Sequence, residues 1–130
     1  MKPILFIVFI SCCLTSYSQV YKFKAYQSCL SRHSDKTIKE SEWNNVDILI
    51  VINIDKKKIN TYGEKEGDYD ILKIESDEIM KDSTMMLTYS AIDEDGEKCK
   101  IYTFKYKDGK RTMVFEYPEI ELAFRIRKNN

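Results

Sequence analysis

The sequence predicts an all-β domain, an antiparallel meander of about eight strands rolled into a small up-and-down barrel, with a β-sandwich as the alternative architecture. Three observations predict it. Segments rich in Ile, Val, Tyr, Phe and Thr recur every ten to fourteen residues. They are separated by clusters of Asp, Gly, Lys and Asn, the punctuation of a β meander. Helical periodicity is nearly absent, so no amphipathic helix is available to cover an apolar sheet face, and the sheet must close on itself or pack against a second one.

The elements follow in order. The first strand, about residues 20 to 29, reads VYKFKAYQ and alternates with Tyr21, Phe23 and Ala25 on one side. The stretch SRHSDKTIKESEWNN is the one long connection, with room for a short strand around Thr37 to Lys39 or a helical turn. Strands at about 46 to 54 and 58 to 63 form a hairpin, INIDKKKINTY, with a lysine-rich tip and Ile54 opposite Ile59. A strand at about 68 to 75 leads to three more at 84 to 92, 98 to 106 and 110 to 117.

Asp95-Gly96 and Asp108-Gly109 join those three strands. Asp-Gly is favoured in two-residue type I′ hairpin turns. In that register Tyr89 lies opposite Tyr102, Leu87 opposite Phe104 and Met85 opposite Tyr106, while Phe104 meets Met113 and Tyr102 meets Phe115. Tyr102, Phe104, Met113 and Phe115 then share one buried face, and Thr88, Ser90, Thr103, Lys105, Thr112 and Glu116 form the polar one. Cys99 falls opposite Ile92 on the less apolar side. The last strand, about 119 to 127, follows Pro118, as proline stands at strand starts, and alternates Ile120, Leu122, Phe124 and Ile126.

The chain opens MKPILFIVFISCCLTSYSQ, a cation, an apolar run and then small polar residues. That is the layout of a secretory signal peptide. Residues 1–18 are the expected signal, with Ser16 and Ser18 before a cut at Gln19, and residues 19–130 a single β-barrel domain. The rival is a lipoprotein anchored through Cys12. The apolar run is shorter than the ~20 residues that a spanning helix needs, so no transmembrane segment is expected and the protein is placed in the periplasm or outside the cell. Cys29 and Cys99 remain in the mature chain as a candidate disulfide, with two buried thiols as the alternative.

Composition narrows the chemistry. Lys and Arg number 21 and Asp and Glu 21, with interspersed signs. No field steers a polyanion, which argues against nucleic acid as a partner. The single histidine, His33, lies in the polar connection, and no P-loop, G-x-G-x-x-G or G-x-S-x-G motif occurs. Catalytic residues, metal ligands and cofactors are therefore expected to be none. DEDG reads as a turn and not as a calcium loop, because Gly96 is fourth from Asp93 where an EF-hand has its glycine sixth. The expected role is an exported non-catalytic binding module, monomeric or weakly oligomeric, for a small apolar ligand or a protein partner. Trp43, Tyr102, Phe104, Tyr106 and Phe115 are the contact candidates because large amphipathic side chains supply binding area. An inhibitor or immunity protein acting through the 31 to 45 connection is the second reading, and a carboxylate-based hydrolase the third.

With Trp43, WNNVDILIVINIDKKKINTY and DEDGEKC in view, the chain resembles a group of small uncharacterised exported proteins of Bacteroidota. In these a tryptophan precedes an Ile-rich strand, a lysine-bearing turn, an I-x-x-Y element and a D-x-D-G-x-x-C hairpin, and cleavage before glutamine is typical. The resemblance implies an exported β protein and no particular activity. At fold level the chain is similar to lipocalin-like barrels, but Ser41-Glu42 precede Trp43 where lipocalins carry G-x-W, so no ligand contact is carried over.

Overall fold

Period-two alternation produces strands, and the breaks in it produce the turns. The computed structural model describes residues 19–32 and 43–129. It contains eight strands: β1 (Val20–Arg32), β2 (Asn44–Asn53), β3 (Lys58–Gly63), β4 (Gly67–Ile79), β5 (Met85–Asp93), β6 (Lys98–Lys105), β7 (Arg111–Glu116) and β8 (Ile120–Lys128). Each pairs antiparallel with the next, and β8 pairs with β1 to close the barrel. Closure leaves no sheet edge exposed. The expected signal segment, Cys12, His33 and the Thr37 to Lys39 element lie outside the described residues.

The expected register of β6 is corrected. Tyr89 pairs with Ile101, Thr88 with Tyr102 and Met86 with Phe104, and Phe104 in turn pairs with Thr112 and Ile101 with Phe115. The reason lies in the turns. Gly96 N donates to Asp93 O at 3.1 Å and Asp93 N to Glu97 O at 2.9 Å, and the second hairpin repeats this through Tyr106, Gly109 and Lys110. Within these two turns only the glycines have positive φ, 84° at Gly96 and 90° at Gly109. These are type I turns followed by a left-handed glycine in a G1 bulge, whereas type I′ needs positive φ at both central residues. Asp93 Oδ1 reinforces the first by accepting from the amides of Asp95 and Glu97. The extra loop residue slips each register by one, which turns β6 over.

Tyr102, Phe104 and Tyr106 therefore stand on the outside of β6 as a row of near-parallel rings with centroids 6.3 Å apart. Met113 and Phe115 point inward as expected, and Cys99 sits inside, opposite Ala91. The β2–β3 hairpin closes two residues earlier than expected, with Ile52 opposite Ile59, a slip that leaves both on the inner face. Bulges in β4 between Ile71 and Lys73 and between Ile74 and Ser76 lengthen that strand beyond its expected end.

Inside the barrel Ile48, Ile50, Ile59, Ile71, Ile101, Phe115 and Phe124 form one continuous core. Burying such side chains contributes roughly 1.5–3 kcal/mol each. The outer rows carry charge, including Lys24 paired to Asp47 at 3.0 Å and Lys58 within ion-pair range of both Asp68 and Asp70. Exposed pairs of this kind add little stability. Apolar inside and charged outside is the reverse of an outer-membrane barrel, whose lipid face is apolar. Among the described residues no helix is long and apolar enough to cross a membrane.

Candidate cavity at the open end of the barrel

The two ends of the barrel differ because the aromatic side chains are unevenly shared between them. At the end bearing the β3–β4, β5–β6 and β7–β8 turns, Tyr69 packs on Phe115 with centroids 4.9 Å apart, and Phe115 meets Phe124 edge-on at 5.7 Å. The Tyr117 hydroxyl donates to Asp93 Oδ2 at 3.0 Å. Burial pushes the Tyr117 hydroxyl strongly up and the Cys99 thiol up to about 11. A thiol held protonated is a poor nucleophile. This end is a plug.

At the opposite end β1, β2, β5 and β8 supply Phe23, Ile52, Leu87, Tyr89 and Ile126 as an apolar wall and floor, and the interior is not filled. A cavity of about 500 Å³ remains, open at the mouth. Its lip carries Tyr21, Ile54, Ile74, Asp77, Met85, Thr103, Lys105 and Arg111. The first β4 bulge turns Ile74 into the mouth, because an extra residue reverses the face that the following residues present, and the second restores the original parity, so that Asp77 faces inward like Tyr69 and Ile71. The volume lies within the ~300–1,000 Å³ of small-molecule sites. Eight strands enclose room for side chains or one small ligand, and this barrel divides its length between the two.

The polar groups at the mouth are few. Lys105 and Arg111 are cross-strand partners on the inward row. The Arg111 guanidinium lies 5.4 Å from the centre of the Phe23 ring, a cation–π contact that draws it over the floor. Tyr89 is 3% exposed. Burial, with Tyr21 and Asp77 adding to it, pushes its hydroxyl up to about 12, so it stays a neutral donor. Among the described residues no group of three or more His, Cys, Asp and Glu side chains could hold a metal ion.

The expected contact residues are not brought together. Phe104 borders the cavity mouth, but Tyr102 and Tyr106 do not line it. Phe115 is 1% exposed within the plug and has no surface to offer a partner. Trp43 lies across the outer wall with Arg125 4.2 Å above its ring, and Arg125 Nη1 donates to Gln27 Oε1 at 2.8 Å. Sequence reasoning missed Asp77, Lys105 and Arg111. Lys105 was legible, because Lys98, Lys100, Tyr102 and Phe104 share a parity in KCKIYTFK, and turning the two aromatics inward buries both lysines.

The candidate disulfide is also corrected, since Cys29 and Cys99 are both free and buried. Strands β1 and β6 are separated by β7 and β8. Three strand spacings of ~4.8 Å put the cysteines about 14 Å apart along the wall, and a bridge needs Cα atoms within ~7 Å. Cys29 pairs with Ala123, on the row alternate to the inward Phe124, whereas Cys99 belongs to the core. In protein expressed from Gln19 onward, denatured without reductant and alkylated, intact mass should show two adducts. No adducts before reduction and two after it would reveal a bridge.

Fold and cavity define a class, the small closed up-and-down β-barrel with one plugged and one open end. No family model matches the chain, and neither curated proteins nor solved structures show significant similarity to it.

Proposed function

We propose that the protein is an exported, non-catalytic carrier or sensor that holds one small, largely apolar molecule in the open half of the barrel. The observation that carries this reading is the cavity of about 500 Å³, with Phe23, Ile52, Leu87 and Ile126 on its walls and polar groups confined to its lip. An apolar pocket with a few converging polar groups is the usual form of a ligand site. Side chains leave this apolar half of the interior unfilled, whereas natural cores leave few voids. The hydrolase reading is weaker: the mouth carries one carboxylate, Asp77, and glycosidic chemistry needs a flanking pair. Trp43, the anchor of the inhibitor reading, already packs on Arg125.

A neutral fluorescent probe tests the proposal. Phenylnaphthylamine should bind saturably at one site per chain. Leu87→Trp, which places a large ring in the cavity, should weaken it at least about tenfold while leaving the melting transition in place. Absence of saturable binding, or binding indifferent to Leu87→Trp, would refute the cavity as the site.

A further inference from the structure

Lys105 and Arg111 stand directly opposite each other across β6 and β7, both facing the cavity. Like charges at facing positions of an antiparallel ladder repel. A sheet tolerates the pair where something neutralises it. Among the described residues the ion pairs involve Lys24, Lys58, Lys100 and Lys110, and neither Lys105 nor Arg111 has a carboxylate within 4.0 Å. Arg111 is also not turned out to water, since the Phe23 ring holds its guanidinium over the floor. Asp77 is the single carboxylate among the residues around the mouth, so two cations face one anion above an apolar well.

Resting on the reading of the cavity as a ligand site, we propose that the occupant is a single-chain amphiphile with an alkyl body and one anionic head, a carboxylate, gripped between Lys105 and Arg111. The alkyl body lies against Phe23, Ile52, Leu87 and Ile126. The carboxylate accepts the paired N–H groups of the Arg111 fork and one ammonium hydrogen of Lys105, the short charge-assisted geometry that guanidinium favours. It also removes the repulsion across the ladder. Asp77 limits the charge of the head, because a second negative group brought toward the lip meets that carboxylate.

Calorimetric titration of the protein with dodecanoate and with dodecanol, each below its aggregation concentration, tests the assignment. Dodecanoate should bind at least about tenfold more tightly than dodecanol. Arg111→Gln and Lys105→Gln should each weaken dodecanoate about tenfold and leave dodecanol unchanged, as expected for a charge-assisted bond to a partly desolvated head. Asp77→Asn should tighten dodecanoate. Equal affinities for the two ligands, dodecanoate binding indifferent to both cation substitutions, or no binding of dodecanoate would each overturn the assignment. Phenylnaphthylamine separates this failure from that of the cavity itself. If it binds where dodecanoate does not, the head group was misassigned and the apolar site stands; if neither binds, both readings fall.

Discussion

Phe115→Ala should destabilise the barrel by about 4 kcal/mol, in the range for truncating a buried aromatic ring. The ring is 1% exposed, packs on Tyr69 and meets Phe124 edge-on, so the lost area is compounded by two broken aromatic contacts. The closed β-wall cannot collapse far into the void, because every strand is held on both sides. Against a typical domain stability of ~5–15 kcal/mol, the loss should lower the urea midpoint sharply at an unchanged m value.

Phe104→Ala is the informative companion. That ring stands half-buried on the outer face between Tyr102 and Tyr106, and its removal should cost about 1 kcal/mol, the worth of one or two aromatic contacts. The type I′ register puts both phenylalanines inside and requires comparable large losses. A cost at Phe104 equal to that at Phe115 would therefore overturn the register described for β6, whereas a several-fold difference supports it.

The positions of all eight strands were legible because alternation and turn residues are local signals, and each expected strand has its counterpart. The face of β6 was not, although two hairpins supported the same answer. Each Asp-Gly was read as a two-residue loop and each is a G1-bulge turn, so each register was wrong by one. The two slips cancel across the pair: β5 and β7 keep their faces and only β6 is inverted. Agreement between the turns was no independent check. Asp-Gly serves both turn types, and what separates them is whether the aspartate takes positive φ, which composition does not reveal.

The open cavity was illegible for a different reason. Its lip depends on the first β4 bulge, which brings Ile74 to the mouth, and a bulge breaks the period on which strand reading rests. The tyrosines are also divided between the two ends of the barrel and its outside. Tyr69 and Tyr117 gather at the plug and Tyr102 and Tyr106 stand outside, which leaves Tyr89 and Tyr21 to line the open half.

Gly63→Ala should cost about 3 kcal/mol, the largest effect expected from adding one methyl group to this chain. Gly63 closes β3 with φ 110°, in the region that L side chains rarely adopt, and backbone strain of this kind costs ~1–3 kcal/mol by itself. A Cβ there would also lie 2.5 Å from the backbone oxygen of Asp47, with no flexible side-chain end to give way. Relief requires the β2 backbone to move at Asp47. That carbonyl accepts from Glu64 N, and the next residue, Ile48, is 2% exposed in the core and in register with Gly63. Gly96→Ala is the control, with φ 84° and nothing within 4 Å of the added carbon. It meets the dihedral penalty alone and should cost about 1 kcal/mol. Chemical denaturation of the two variants separates the terms. Equal losses would mean that the β2 backbone yields without resistance; a loss at Gly63 larger by about 2 kcal/mol locates rigidity where β2 turns into the plug, the end whose packing leaves the opposite half of the barrel free to stay open.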